Sequence, residues 1–543
     1  MNHLKILQFL MKIVNLLNKI NSFSILSGWG FLFWAKNFLV KNSYFSWFNQ
    51  LVLVLVFTIG VGNWAYPSVQ TSWLLWGFPL GGALLFGAFF GLKENSSSKA
   101  GAYAFWISIL SFIVVGSAAW GTPTQGATLF DGLLLDSLGL PYVFLTVSLL
   151  PLVVLASLDS IRSNQVTYYF WVLFLGGILV LTFCVEDFLV FYILFEILGF
   201  PMFLLIGQHG PRLQRVGAAY KFFVYTFGGS AFILPVLVYL HWGVGTTGVV
   251  ALQAYQFTEY EQALFFGLAA LPFGVKIPLI PFHLWLPEAH VEAPTPISIL
   301  LAGLLLKTGG YAFLRFLIPL FPHGVYIWGP LLTGVGLFSV LFGSLYALVQ
   351  VDIKRIIAYA SVAHMSVVFL GLLTGTPAGA QGATYLMLAH GYTSAGLFAG
   401  IGVLYDRYHT RTIRYYGGLA SVMPLLGGFF FLLTLGNISF PFTGGFTGEF
   451  IILSALGASS LVVCFLAGGT IFLSLCYSVW LFNRLFWGPP NLSLSRHTEL
   501  TPLEFAVLGG STFGCLVLGW LGATFVGFTH ECYVHLLYSS LAG

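Results

Sequence analysis

The stretch KIPLIPFHLWLPEAHVEAPTPISILLAGLLLKTGGYAFLR, Lys276–Arg315, decides how this chain is read. Its surroundings are almost wholly apolar, yet it carries two lysines, two histidines, two glutamates and five prolines. Inside a membrane each of those charges and prolines carries a cost and demands a reason. Composition puts the chain in a membrane. Of 543 residues, 58% are hydrophobic and only 7% are charged, against roughly 25% charged in soluble domains.

Apolar runs extend outward from this stretch in both directions. They lie near 51–66, 72–92, 101–120, 138–158, 166–184, 188–207, 217–240, 262–287, 295–319, 326–348, 355–375, 381–405, 422–457, 460–483 and 503–528. Most exceed the ~18–20 residues that cross a bilayer as a helix, so the fold class is an all-α polytopic membrane protein with about 14–15 transmembrane helices. Loop charge supports this count. Lys93, Lys99, Arg162, Arg212, Arg215, Lys354, Arg355, Arg407, Arg411, Arg414, Arg484 and Arg496 all fall on one side of the membrane. The opposite loops (67–71, 121–137, 185–187, 241–261, 320–325, 376–380) contain no Lys or Arg, which is a positive-inside pattern.

The N-terminal segment 1–71 is an extension with one extra candidate span. Lys5, Lys12 and Lys19 share a helix face, and no acid precedes Glu94. The absence of Arg favours a lineage-specific extension packing on a neighbour over a targeting helix. The five cysteines (Cys184, Cys464, Cys476, Cys515, Cys532) form no CxxC pair, which argues against zinc, iron–sulfur and disulfide frameworks. Gly243, Gly245 and Gly248 match GxGxxG literally, but a membrane span precedes them instead of a strand, so they read as a turn and not as a dinucleotide site.

The chemistry lies in ionisable residues within the apolar runs: Glu196, Lys276, Lys307, His364, His390 and Glu449, with Lys221 near a span end. An Asp, Lys or Arg at the centre of a membrane helix costs about 2.5–3.5 kcal/mol on insertion scales, so such groups must be paired, hydrated or neutral. Burial lowers a lysine's pKa and a nearby carboxylate raises it again. Moving Glu196 relative to Lys276 would therefore load or release a proton, and histidine already titrates near neutral pH. The alternative is a set of ion pairs that fix helix packing.

Two spans carry internal breaks. Pro272, Pro278 and Pro281 interrupt the ladder beside Lys276, and Pro441, Gly444 and Gly445 do so beside Glu449. Taken as units, 166–319 and 326–483 hold five spans each, with the broken span fourth in both. An odd number of spans inverts the second unit relative to the first, and paired broken helices in inverted repeats are a sign of a transport pathway. Residues 72–158 supply the spans before these units, and 503–543 a last span and tail.

Lys276-Ile-Pro-Leu279, Pro281-Phe-His-Leu-Trp-Leu-Pro-Glu-Ala-His290, Ala293-Pro-Thr-Pro296 and Leu304-Leu-Leu-Lys307-Thr-Gly-Gly-Tyr311 resemble the antiporter-like, proton-pumping membrane subunits of respiratory complex I. Within that family the VEAPTP stretch, the LLLKTGGY run and Glu449 point to the subunit 4 branch of NADH dehydrogenase (ubiquinone). Relatives in the other branches usually carry lysine at the place of Glu449. The resemblance implies a Glu196–Lys276 pair in the first half-channel, Lys307 as central relay continued by His364 and His390, and Glu449 releasing protons to the positive side. His283 would support the broken helix, or else pack on Trp285. It further implies no cofactor in this chain, with NAD, FMN, iron–sulfur clusters and ubiquinone held by partner subunits. The implied partners are other membrane-arm subunits, especially the subunit 2 and subunit 5 types, together with lipids and no nucleic acid. The implied location is the mitochondrial inner membrane, with a bacterial or plastid membrane as the alternative. The competing functional reading is a subunit of a multisubunit cation/proton antiporter; a structural spacer with a vestigial channel is the third.

Overall fold

The computed structural model describes residues 82, 97–121, 127–130, 133–490 and 498–538, all within the larger of two compact units, Asn63–Gly543. The N-terminal extension, the candidate span at 51–66 and all but Gly82 of the span at 72–92 lie outside the described residues. Lipid offers the backbone no hydrogen bonds, so apolar runs must satisfy their own N–H and C=O groups as helices. The chain accordingly folds as helices α1 (Ser97–Gly121), α2 (Leu140–Ser160), α3 (Gln165–Thr182), α4 (Phe188–His209), α5 (Arg215–Val244), α6 (Glu259–Lys276), α7 (Trp285–Glu292) and α8 (Thr295–Leu320). It continues with α9 (Pro322–Val349), α10 (Ile353–Leu373), α11 (Pro377–Tyr408), α12 (Pro424–Asn437), α13 (Gly444–Ser459), α14 (Leu461–Phe486), α15 (Pro502–Trp520) and α16 (Gly522–Tyr538). Ten of these are long and apolar enough to cross a membrane unaided.

Helix starts follow from the polar residues between the runs. Thr258 and Glu261 form a capping box at α6, and Thr501 and Glu504 form one at α15. Asp187 and Asp352 cap α4 and α10 by accepting from Val190 N–H and Lys354 N–H, each at 2.9 Å. The glycine-rich loop is a turn, as expected: Gly243 lies in the last turn of α5, Gly245 ends it at φ 84°, and Gly248 bridges to Asp187.

Three sequence expectations need correction. The loop 121–137 contains a small antiparallel hairpin, β1 (Ala127–Phe130) with β2 (Leu133–Leu135). The last apolar run is two helices meeting at Leu521, and the second continues to Tyr538. Glycines flank that corner, and a Cβ on Gly519 would collide with the Phe442 carbonyl oxygen. Pro272 does not break its helix but lies inside α6. The real break falls between Lys276 and Trp285, around Pro278 and Pro281.

The second break, 438–443, holds Ser439 at φ 59° and Phe442 at φ 72°, a left-handed conformation that non-glycine residues rarely adopt. The broken span α6–α7 is fourth in the run α3–α8, and α12–α13 is fourth in the run α9–α14.

Burial separates an axis from a rim. The membrane windows of α8 and α11 are 100% buried, whereas those of α5 and α9 are 33% buried. The axis therefore consists of the two helices that carry Lys307 and His390. They can approach closely because glycine faces glycine. A Cβ on Gly391 would stand 3.2 Å from the Gly303 carbonyl oxygen and 2.9 Å from the Leu145 side chain, and small residues at such crossings are what bring membrane helices together. Gly391→Val should overpack this crossing at a cost of about 1–3 kcal/mol. The check is a lowered melting temperature of the detergent-solubilised protein, against an unchanged value for the same substitution at the uncrowded Gly468.

Candidate functional site

The first broken helix sets the position of Lys276. It is the last residue of α6 and only 2% exposed, at a helix end whose unpaired carbonyls and dipole favour a cation. Its ammonium sits 4.4 Å from the centroid of the Phe195 ring, a cation–π contact strengthened by the dry surroundings. Glu196, next in sequence on α4, reaches the Ser230 hydroxyl on α5 and feels the charge of Lys276 without forming a direct ion pair. Glu196 and Lys276 are thus coupled through charge without an ion pair between them.

His283 lies in the break, 5% exposed. Its ring faces Tyr346 on α9 (6.2 Å between centroids, 10° between planes) and Tyr359 on α10 (6.0 Å), and not Trp285. The Pro281 carbonyl lies beside it, but neither ring nitrogen makes a well-formed hydrogen bond. Trp285 instead holds the break together, donating its indole N–H to the Val275 carbonyl at 3.0 Å. Lys221 is not in the interior: it is 57% exposed and pairs with Glu288 on α7 at 2.6 Å.

The remaining four residues meet. Lys307 is fully buried near the middle of α8. A π-helical turn, Leu301–Leu305, precedes it. Such a turn disrupts the i→i−4 ladder, and the Lys307 amine donates to the Ala302 carbonyl within it. The same amine lies 2.8 Å from His390 Nδ1 on α11. The His390 and His364 rings lie 5.8 Å apart, and His364 Nδ1 on α10 is 3.0 Å from Glu449 Oε1 on α13. His390, His364 and Glu449 are 4%, 7% and 4% exposed. Lys307, His364 and His390 each lie near the middle of their helices, and Glu449 lies in the second turn of α13. A cavity of about 10 Å³, lined by His364, His390, Thr393, Asn437, Ser439 and Gly445 among others, borders both histidines. That is the space of one water.

This arrangement suits proton transfer. Lys307 has no carboxylate contact, so its ammonium has His390 as the neighbour able to take a proton. Proton movement from His390 to His364 to Glu449 ends by neutralising an anion, which burial itself favours.

Sequence reasoning missed several buried polar residues. His290, quoted only as part of a motif, is fully buried on α7, stacked on Phe398 at 4.5 Å, with both ring nitrogens unpartnered. It feels the charges of Lys354 and Lys307. Lys354 is also buried and donates to the Ala293 carbonyl at 2.9 Å, where α7 ends. Arg411, in the loop after α11, bonds the Val291 carbonyl and lies 3.4 Å from Asp352. Burial pulls its guanidinium below the usual arginine range, and Asp352 opposes that shift. The clue to these was available: each is a charge or histidine at the edge of an apolar run.

Arg315 at the far end of α8 joins Asp136 and Glu186, the latter at 3.1 Å. Asp136 also accepts from Gly139 N–H at 2.8 Å at the start of α2. Removing one partner of a buried ionic group leaves the others uncompensated, at about 3–5 kcal/mol. Arg315→Met should therefore sharply lower thermal stability, and adding Asp136→Asn should recover part of the loss. Equal melting temperatures for wild type and Arg315→Met would contradict this.

Residues 185–474 match the family "NADH:quinone oxidoreductase/Mrp antiporter, TM", and residues 82–182 match "NADH-ubiquinone oxidoreductase chain 4, amino terminus". The chain is 39% identical over 452 residues to an NADH-ubiquinone oxidoreductase chain 4 of Chondrus crispus, an alignment spanning 80% of this chain and 92% of that one. It is 38% identical over 440 residues to the chain 4 of Marchantia polymorpha, spanning 80% and 88%. Among solved structures it is similar to a chain of respiratory complex I from Thermus thermophilus with bound NADH. There the TM-score is 0.78, the identity 29% and the coverage 86% of this chain and 99% of that one.

Proposed function

This chain belongs to the NADH-ubiquinone oxidoreductase chain 4 family, and we propose that it is a proton-translocating membrane subunit of that oxidoreductase. The observation that carries the reading is the buried run Lys307–His390–His364–Glu449, which links four helices through contacts of 2.8 and 3.0 Å and one ring-to-ring step. Lys276, held over Phe195 at the end of a half-helix, is the loading group of the first half, and Glu196 tunes it by its charge. Lys307 is the central relay, the two histidines pass the proton on, and Glu449 ends the run. Lys221 and His283 take supporting places, at the rim and in the break.

On this reading the chain binds no redox group. Electrons pass from NADH to ubiquinone through FMN and iron–sulfur clusters in partner subunits, and other antiporter-like membrane subunits flank this one. The membrane is the mitochondrial inner membrane, in keeping with the eukaryotic relatives. The family description also covers antiporters. An antiporter subunit would purify with other membrane subunits only, whereas a complex I subunit would purify with flavin and iron–sulfur proteins.

Lys276→Ala and Glu449→Ala, measured in the complex reconstituted in vesicles, should each remove most of the coupled activity while leaving assembly largely intact. Normal proton-to-electron stoichiometry in both variants would sink the role.

A further inference from the structure

Three lysines are buried in the described part of the chain, Lys276, Lys307 and Lys354, each at most 2% exposed. Two of them rest on backbone. Lys307 donates to the Ala302 carbonyl, and Lys354 to the Ala293 carbonyl at 2.9 Å. Lys276 ends a helix, where a lysine can bond the last carbonyls. Among the described residues, however, no carbonyl accepts from its ammonium, which has only the Phe195 ring and the charge of Glu196. The carbonyls at that end are already taken.

The Phe273 carbonyl accepts from Ile277 N–H at 2.9 Å, and the Gly274 carbonyl from Leu279 N–H at 3.0 Å. Both donors are backbone of the break itself. Pro278 and Pro281 supply no N–H, so further donors must come from side chains. The Val275 carbonyl accepts from the Trp285 indole at 3.0 Å. That donor reaches back across the break, and it is the one that a side-chain substitution removes. Trp285 is 1% exposed and packs on Phe222 of α5, with 5.4 Å between ring centroids. The break is anchored once more, from α9. Ile280 N–H donates to the Ser339 hydroxyl at 2.9 Å, and that hydroxyl donates to the Val335 carbonyl at 2.7 Å. Ser339 is fully buried.

We propose that Trp285 and Ser339 are positioning residues for Lys276: they occupy the backbone groups freed by the break, so the ammonium has no backbone acceptor and its charge state is left to Glu196. This deepens the reading of Lys276 as the loading group and rests on it. A hydrogen bond to the charged form of a group favours that form. Were the Val275 carbonyl open, the ammonium would cap it and stay charged, whatever happened at Glu196. With the indole in that place, Lys276 responds to Glu196 without competition from the backbone. Ser339 acts one step further back. By holding Ile280 it fixes the loop from which Trp285 reaches Val275. Neither residue carries a proton in the transfer. Because Ser339 belongs to α9, the run α9–α14 helps set the state of the loading group in the run α3–α8.

The test uses the assembled complex in vesicles, with proton yield per electron as readout. Trp285→Phe keeps an aromatic ring and removes the N–H; Ser339→Ala removes the hydroxyl. Each should lower the yield severalfold, and Ser339→Thr, which keeps a hydroxyl, should restore it. A double-mutant cycle separates positioning from general loosening. With Lys276 pinned in Trp285→Phe, adding Glu196→Gln should lower the yield little further, whereas a merely structural defect would multiply with that of Glu196→Gln. High-resolution imaging of the Trp285→Phe complex should place the Lys276 ammonium within hydrogen-bonding distance of the Val275 carbonyl. Full yield in both single variants, multiplying losses in the cycle, or an ammonium still over Phe195 would overturn the proposal. Lys276→Ala is the separate control. If it keeps full yield, the loading role itself fails; if it loses yield while Trp285→Phe and Ser339→Ala keep it, only the positioning fails.

Discussion

The contact between the Lys307 amine and His390 governs much of the architecture around it. Two basic groups can sit 2.8 Å apart in a buried interior only if one donates a hydrogen bond to the other, and here the Ala302 carbonyl accepts a second one from the amine. The π-turn before Lys307 supplies a carbonyl at the required place, and the glycine crossing of α8 and α11 brings the two side chains within reach. α8 and α11 pack closely over residues 295–305 of α8, and other helices cover both, which accounts for their complete burial. The histidine pair and Glu449 extend the same logic by one more helix on either side of α11.

The polar breaks serve the same constraint. The first places Lys276 at a carboxyl-terminal helix end, where backbone carbonyls are unpaired within the helix; the second leaves Glu449 in the second turn of α13, beyond the unpaired amino-terminal N–H groups. Those ends favour a cation and an anion respectively.

Much of this was legible in the sequence, for a physical reason: a charge or proline in lipid has few acceptable explanations. The two breaks, most of the described spans and the ionisable residues followed from that. Partner choice did not. Lys307 and His390 are separated by 83 positions and His364 and Glu449 by 85, and no periodicity specifies which will meet. Opposite charge suggested the Glu196–Lys276 pairing, and the two are coupled through charge, but the ring of Phe195 over which the Lys276 ammonium sits was not foreseen. His290 was read as motif and Arg315 as the edge of a stretch. The acids that hold Arg315 lie in loops noticed only for their lack of basic residues. Lys221 was drawn inward by its apolar neighbours, although it faces outward on a rim helix. The cavity beside the two histidines depends on the fit between α10, α11 and α12, which no local pattern encodes.

The mid-helix positions of Lys307, His390 and His364 carry an electrical consequence. A charge crossing the whole membrane potential exchanges about 2.3 kcal/mol per 100 mV with the field, but a charge moving parallel to the membrane plane exchanges almost none. Transfers along this run are therefore nearly isopotential, and the voltage opposes only the legs that join it to either surface. On the proposed reading, proton transfer along this run would proceed with equal ease at low and high membrane voltage, and the back-pressure of an energised membrane would fall on its connections to water.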